Sequence, residues 1–127
     1  MNEDFSAVLI ARNEEKTIKR AIDSLKGTND IVVMSTGSTD ETVKIAESLG
    51  ARVFEVGDRF IETPTKNDIK LFEKRYGFKP SFTTESRLFN YAAARNYAMT
   101  LAKNDWCLQI DCDEVIEWDI NEVRKAI

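Results

Sequence analysis

Residues 5–56 read FSAVLIARNEEKTIKRAIDSLKGTNDIVVMSTGSTDETVKIAESLGARVFEV, and this stretch decides the fold. It opens on a continuous apolar run, Phe5 to Ala11, of the kind that suits a strand covered on both faces. Helical spacing follows from Glu14 to Leu25, with Ile18, Ala21, Ile22 and Leu25 on one face. Glu14 and Glu15 favour the amino end of that helix and Gly27 ends it. Ile31 to Met34 is a second short strand. Ser38-Thr39-Asp40-Glu41 has the form of a capping box with Ser38 as N-cap. The helix it opens turns Val43, Ala46 and Leu49 inward and stops at Gly50. Ala51 to Val56 makes a third strand. The order β-α-β-α-β predicts a parallel sheet with right-handed crossovers, hence an α/β fold built as a three-layer α/β/α sandwich.

Outward from this block the pattern first breaks. Gly57 to Arg87 holds both prolines, Pro64 and Pro80, many charges and scattered aromatics. It is too long for an ordinary connection and reads as a flap or an insertion, 57–87, within one domain, 1–127. A short helix is expected around Asp68 to Tyr76. The alanine-rich stretch Leu88 to Lys103 predicts a helix. Trp106 to Ile110 predicts a fourth strand that runs into Asp111-Cys112-Asp113-Glu114, and Asp119 with Glu122 caps a final helix. No internal repeat or low-complexity tract is present.

The chain has 127 residues, enough for one domain. Its 43% hydrophobic and 31% charged residues are the balance of a globular protein rather than a disordered one. A net charge of −4 gives no broad attraction for nucleic acid or anionic lipid. An acidic chain still binds a polyphosphate when a divalent cation sits between them. No apolar run approaches the roughly 18 residues of a membrane span, and the acidic start is unlike a signal peptide. Cys107 and Cys112 are read as reduced thiols that cannot bridge, which fits a cytoplasmic setting. The absence of histidine excludes Ser-His-Asp and Cys-His chemistry and the usual zinc sites.

Four short segments could carry chemistry. Asp111 and Asp113 stand at i and i+2 just past a buried strand, where open α/β sheets bind ligands. Carboxylate oxygens suit Mg²⁺ or Mn²⁺, but two of them leave the shell incomplete, so substrate phosphates and water must fill it. The implied ligand is a metal-chelated diphosphate; the plainer alternative is an acidic turn. Ser35-Thr36-Gly37-Ser38 forms a strand-to-helix turn in which Gly37 and Ser38 shape the turn, while Ser35 and Thr36 are placed to face a nucleotide. Ala11-Arg12-Asn13-Glu14 follows the first strand and is either a third rim loop or a solvated helix start. Arg95 follows three alanines, which leave its guanidinium room to reach a phosphate or a structural carboxylate. Neither Gly-x-Gly-x-x-Gly nor Gly-Lys-Ser/Thr occurs, so neither a dinucleotide fingerprint nor a P-loop is supported.

In order and spacing these segments resemble the family 2 glycosyltransferases of the GT-A type. The resemblance rests on Ala-Arg-Asn-Glu-Glu at 11–15, Thr-Gly-Ser-Thr-Asp-Glu-Thr at 36–42, Ala-Arg-Asn at 94–96 and Asp-Cys-Asp-Glu at 111–114. It implies a Rossmann-like, mostly parallel sheet, truncated to the nucleotide-sugar-binding part. It also implies that Ala11, Arg12, Asn13 and Glu14 line the nucleoside pocket and that Ser35 and Thr36 lie near the base. Arg95 would look toward the diphosphate or donor sugar, Asp111 toward the ribose and sugar, and Asp113 would ligate Mn²⁺ or Mg²⁺. The implied partners are a nucleotide-diphosphate sugar and an unknown carbohydrate, lipid-linked or protein acceptor.

Two departures stand out. Family members often carry Asp where this chain has Ser35, so the negative charge near the base is missing. The family's general base, in an acceptor-binding half, matches no position here, although Glu114 and Glu117 are nearby carboxylates. The expected function is inverting sugar transfer, with this chain as the donor-binding half and the missing half or a partner supplying the acceptor site; a homo-oligomer is a further expectation. Two alternatives are a non-catalytic nucleotide-binding or protein-interaction module, in which UDP or a similar ligand would not be turned over, and a phosphatase reading of Asp111-Cys112-Asp113-Glu114-Val115 with Asp111 as nucleophile.

Overall fold

The computed structural model describes residues 4–127. The elements in chain order are β1 (Phe5–Ala11), α1 (Ile18–Ser24), β2 (Asp30–Ser35), α2 (Thr42–Ser48), β3 (Arg52–Glu55), β4 (Ile61–Glu62), α3 (Lys66–Tyr76), β5 (Leu88–Phe89), α4 (Tyr91–Thr100), β6 (Trp106–Gln109) and α5 (Ile120–Ala126). They gather into two compact units. The larger holds the residues up to Arg59 and Ala94–Ile127, and the smaller is Phe60–Ala93.

In the larger unit a four-stranded, all-parallel sheet has the order β3-β2-β1-β6. The two central strands carry the apolar runs because both their faces are covered. On one face Ala7, Leu9, Ala11 and Val33 pack in a core with Ile18, Ala21, Ile22 and Leu25 of the α1 segment and Ala46 of α2. The four α1-side residues are fully buried, and each large aliphatic among them contributes about 1.5–3 kcal/mol. On the alternate face Val8, Val32 and Met34 are equally buried, as are Ala94 and Ala98 of α4. This is the α/β arrangement that the hydrophobic pattern predicts.

Charge ties the amino edge of the sheet together. Asp30, the first residue of β2, accepts from Ser6 Oγ of β1 at 2.7 Å, from Arg52 Nε of β3 at 2.8 Å and from the Lys103 N–H ahead of β6 at 2.9 Å. Burial works against its charge, but these hydrogen bonds, Arg52 foremost, and the Arg52 charge outweigh it and hold the carboxyl below its usual range. Arg52 also donates to the Leu101 carbonyl at 2.7 Å, so one ion pair joins β1, β2, β3 and the turn that leads into β6.

Several element boundaries differ from the sequence expectation. The α1 helix starts at Ile18 rather than Glu14, after a turn closed by the Ile18 N–H on the Glu14 carbonyl. The capping box at Ser38 and Glu41 does not form: α2 begins at Thr42 with Glu41 at the N-cap and no side-chain cap bond. Ser38 Oγ is engaged elsewhere, by Asn13 N–H and Ser35 Oγ. The helix expected from Leu88 begins at Tyr91, because Leu88 and Phe89 pair antiparallel with Glu62 and Ile61. Asn90 takes the cap, its Oδ1 accepting the Ala93 N–H at 3.0 Å.

The smaller unit contains that two-stranded pair and α3, whose start is a complete capping box between Thr65 and Asp68. Phe72 gathers Tyr76, Phe78 and Phe82 within 5.5 Å between ring centroids. Among the described residues no helix is long and apolar enough to cross a membrane, and both cysteines are free.

Candidate functional site

Because the strands are parallel, their carboxyl ends fall on one edge of the sheet, and the loops that leave them share it. Strand pairing sets Ala11 opposite Ser35 and Ser35 opposite Glu55. Glu55, Ser35 and Ala11 thus form one row across the rim. On the other side the ladder ends where Val8 pairs with Gln109; beyond it Cys112 reaches the Ile10 carbonyl at 3.4 Å, with Asp111 and Asp113 on either side of it in the chain.

The first two loops are zipped together. Asn13 adopts a left-handed backbone, φ 53°, which asparagine tolerates better than most residues. Its Oδ1 accepts the Thr39 N–H at 2.7 Å and the Asp40 N–H at 3.3 Å, while its own N–H donates to Ser38 Oγ at 3.1 Å. The Glu14 N–H donates to Thr42 Oγ1 at 2.8 Å, and the Thr36 N–H extends the strand ladder to the Ala11 carbonyl at 2.9 Å. Asp40 closes the turn on the N–H and hydroxyl of Thr42. Ala11, Ser35 and Thr36 are buried, whereas Arg12 and Asn13 are exposed and Glu14 is half-buried.

The third loop is held differently. Cys112 is buried and donates its thiol to the Ile10 carbonyl at 3.4 Å. Its neighbours Asp111 and Asp113 therefore project outward, and both are exposed. A reciprocal pair sets the turn: the Asp111 N–H donates to Glu114 Oε1 at 2.7 Å and the Glu114 N–H to the Asp111 carbonyl at 3.0 Å. Burial first, then the negative charges of Glu14, Asp111 and Asp113, push the Cys112 thiol up to about 12. The thiol's contact with the Ile10 carbonyl, two residues ahead of Arg12, sets the third loop beside the first.

Arg95 lies exposed on α4, the helix that leads into β6. Among the described residues no three acidic or sulfur side chains assemble a ready cation cage. An apolar hollow of about 260 Å³ lies beside β6, lined by Trp106, Leu108, Trp118 and Val123. No charged side chain lines it, and it borders the amino half of the sheet, so it is not a diphosphate site.

The residue that sequence reasoning missed is Glu55. Its Oε1 accepts from Ser35 Oγ at 2.7 Å, and its Oε2 accepts the Gly37 N–H at 2.9 Å and the Gly57 N–H at 2.7 Å. Burial opposes its charge, but these bonds, with the Val56 N–H, hold the carboxyl below its usual range. Its position as the last residue of a strand was the one available signal.

A parallel sheet whose carboxyl edge gathers three loops and a pair of outward carboxylates defines an α/β protein with its candidate site at that edge. Residues 6–67 match the model of glycosyl transferase family 2, and the fold is that of the GT-A glycosyltransferases. An uncharacterized glycosyltransferase of Rickettsia bellii is 32% identical over the whole chain, which covers 33% of that relative. The lipopolysaccharide core biosynthesis glycosyltransferase LpsC of Rhizobium meliloti is 25% identical over 97% of the chain and 36% of the relative. The chain thus spans about a third of the length of the curated relatives it matches. Among solved structures, glucosyl-3-phosphoglycerate synthase from Mycobacterium tuberculosis in complex with UDP is similar at TM-score 0.52 and 29% identity, over 89% of this chain and 35% of that one. TarS of S. aureus, also with UDP, shares the fold at TM-score 0.61 and 21% identity, over 97% of this chain and 31% of that one.

Proposed function

We propose that this chain is the donor-binding part of an inverting glycosyltransferase, and that it holds a nucleoside-diphosphate sugar across the carboxyl edge of the sheet. The observation that carries this is the outward projection of Asp111 and Asp113 around the buried Cys112, beside two loops already fixed by Asn13. A site formed before the ligand arrives loses less conformational entropy on binding.

The donor set fits a divalent cation in type. Asp111 and Asp113 offer exposed, hard carboxylate oxygens suited to Mn²⁺ or Mg²⁺, and two protein ligands leave positions for diphosphate oxygens. A glucosyl-3-phosphoglycerate synthase structure holding Mn²⁺ and UDP, 29% identical to this chain at TM-score 0.50, supports the same donor class. When bound, the cation supplies Lewis-acid stabilisation to the departing diphosphate. The chain's own residues orient: Asn13 fixes the first two loops, Glu114 fixes the third, and exposed Arg12 and Arg95 offer cations to the phosphates. The general base and the acceptor, whether carbohydrate, lipid-linked or protein, lie with the rest of the transferase. The two free thiols fit a reaction on the cytoplasmic side.

The test is thermal. UDP with Mn²⁺ should raise the melting temperature by several degrees, since a ligand at a hundredfold excess over its Kd stabilises by about 2.7 kcal/mol. UDP alone should do little, and Asp113→Asn should abolish the gain. Equal stabilisation with and without metal, or none under either condition, would overturn the reading.

A further inference from the structure

Glu55 sits where a diphosphate cannot. Two glycine N–H groups and a serine hydroxyl, pointed at one spot on a sheet edge, form the kind of nest that takes an anion. Here the nest is already filled by the chain's own carboxylate, with Gly37, Gly57 and Ser35 all donating to it. A second anion at that spot would meet a like charge with its donors already occupied. The other acidic group of the rim, Asp111 with Asp113, lies past β6, at the opposite end of the sheet order from β3. Three strand spacings separate the two ends, roughly 14 Å, a span comparable to an extended nucleoside diphosphate.

A nucleotide lying along this row can therefore take only one direction. Its diphosphate goes to the end where a cation can neutralise both partners, and its base goes to Glu55. Resting on the donor-binding reading above, we infer that Glu55 selects the nucleobase. Its exposed carboxylate receives the ring N–H of a lactam base such as uracil, and it turns away bases whose ring nitrogen carries a lone pair at that place. Oε1 is the oxygen for this contact, because it takes one donor, Ser35 Oγ, where Oε2 takes two. The three fixed donors hold the carboxylate in one orientation and keep it ionised, so little is lost in ordering it when the base arrives. Ser35 is fully buried and its hydroxyl is directed at Glu55. It thus acts on the base through that carboxylate, as a positioning residue.

The experiment is a chemical double-mutant cycle by calorimetry with Mn²⁺ present. It compares UDP with N3-methyl-UDP on the unmodified chain and on Glu55→Gln. On the unmodified chain the methyl group should weaken binding ten- to a hundredfold, the range for a lost hydrogen bond to a charged group. Glu55→Gln should weaken UDP by a similar factor and bring the two ligands together. Equal affinity for both ligands on the unmodified chain, or the same ratio retained in Glu55→Gln, overturns the assignment. If Glu55→Gln does not fold, the unmodified chain decides through GDP against CDP and ADP: binding of GDP alone among the three supports Glu55, and indifference overturns it. These outcomes are distinct from failure of the donor-binding reading, in which UDP does not bind with Mn²⁺ at all.

Discussion

At the amino edge of the sheet the Asp30 side chain is 2% exposed and meets Arg52, Ser6 and the Lys103 N–H. At the carboxyl edge Asp111 and Asp113 stand in solvent with no basic neighbour in an ion pair among the described residues. The same side-chain chemistry serves opposite ends because the surroundings differ. Enclosed and matched with a guanidinium, a carboxylate locks three strands and the turn before β6 together. Left exposed on a turn, it keeps its lone pairs for a ligand. Glu55 combines both conditions: fixed by three donors yet open to solvent on the rim.

The sharpest way to break this contrast is Arg52→Met. It strands a buried carboxylate, and removing one partner of such a pair typically costs about 3–5 kcal/mol. Ser6 and Lys103 still donate to Asp30, so the loss should fall near the low end, about 3 kcal/mol, read from urea midpoints. Asn13→Ala comes next. It removes the acceptor that fixes Thr39 and Asp40 and leaves alanine in a left-handed backbone, so about 1–2 kcal/mol should be lost. That variant should also weaken UDP binding, because the first two rim loops come apart. Asp111→Asn and Asp113→Asn should change the stability of the ligand-free chain by less than about 0.5 kcal/mol, as for surface substitutions. A large loss there would mean that these carboxylates are structural.

Acid sharpens the same comparison. Asp30 is held below its usual range in the folded chain, so the unfolded chain takes up the proton first. Its contribution is complete above the unfolded carboxyl value, roughly pH 4, and is lost as pH falls through the lower folded value. In Arg52→Met the folded Asp30 loses its main partner and its value rises toward the unfolded one, so its share of the acid decline should shrink and the gap in stability between the two chains should narrow as pH falls. Urea midpoints followed from neutral pH into acid separate the two chains.

Much of the fold was legible because it depends on local pattern. Continuous apolar strands, the helical spacing of Ile18, Ala21, Ile22 and Leu25, and the alternation of strand and helix each follow from one segment of chain. The location of Asp111 and Asp113 after a strand was legible too, but that strand is not buried as expected: β6 is the edge of the sheet, exposed at Trp106 and half-buried from Cys107 to Gln109. Boundaries failed where a side chain had a distant partner. Ser38 has the form of an N-cap, but Asn13 N–H and Ser35 Oγ claim its hydroxyl. Leu88 and Phe89 have helical neighbours, but a pairing with β4 removes them from the helix.

Ser35 shows the limit most clearly. From sequence alone it is a position lacking a negative charge. In three dimensions the carboxylate of Glu55, twenty residues on, accepts its hydroxyl at 2.7 Å. Strand identity and the order of the motifs are properties of consecutive residues, fixed by periodicity and backbone preference. Which carboxylate is enclosed, and which stands free on the rim, depends on register between strands that only packing brings side by side.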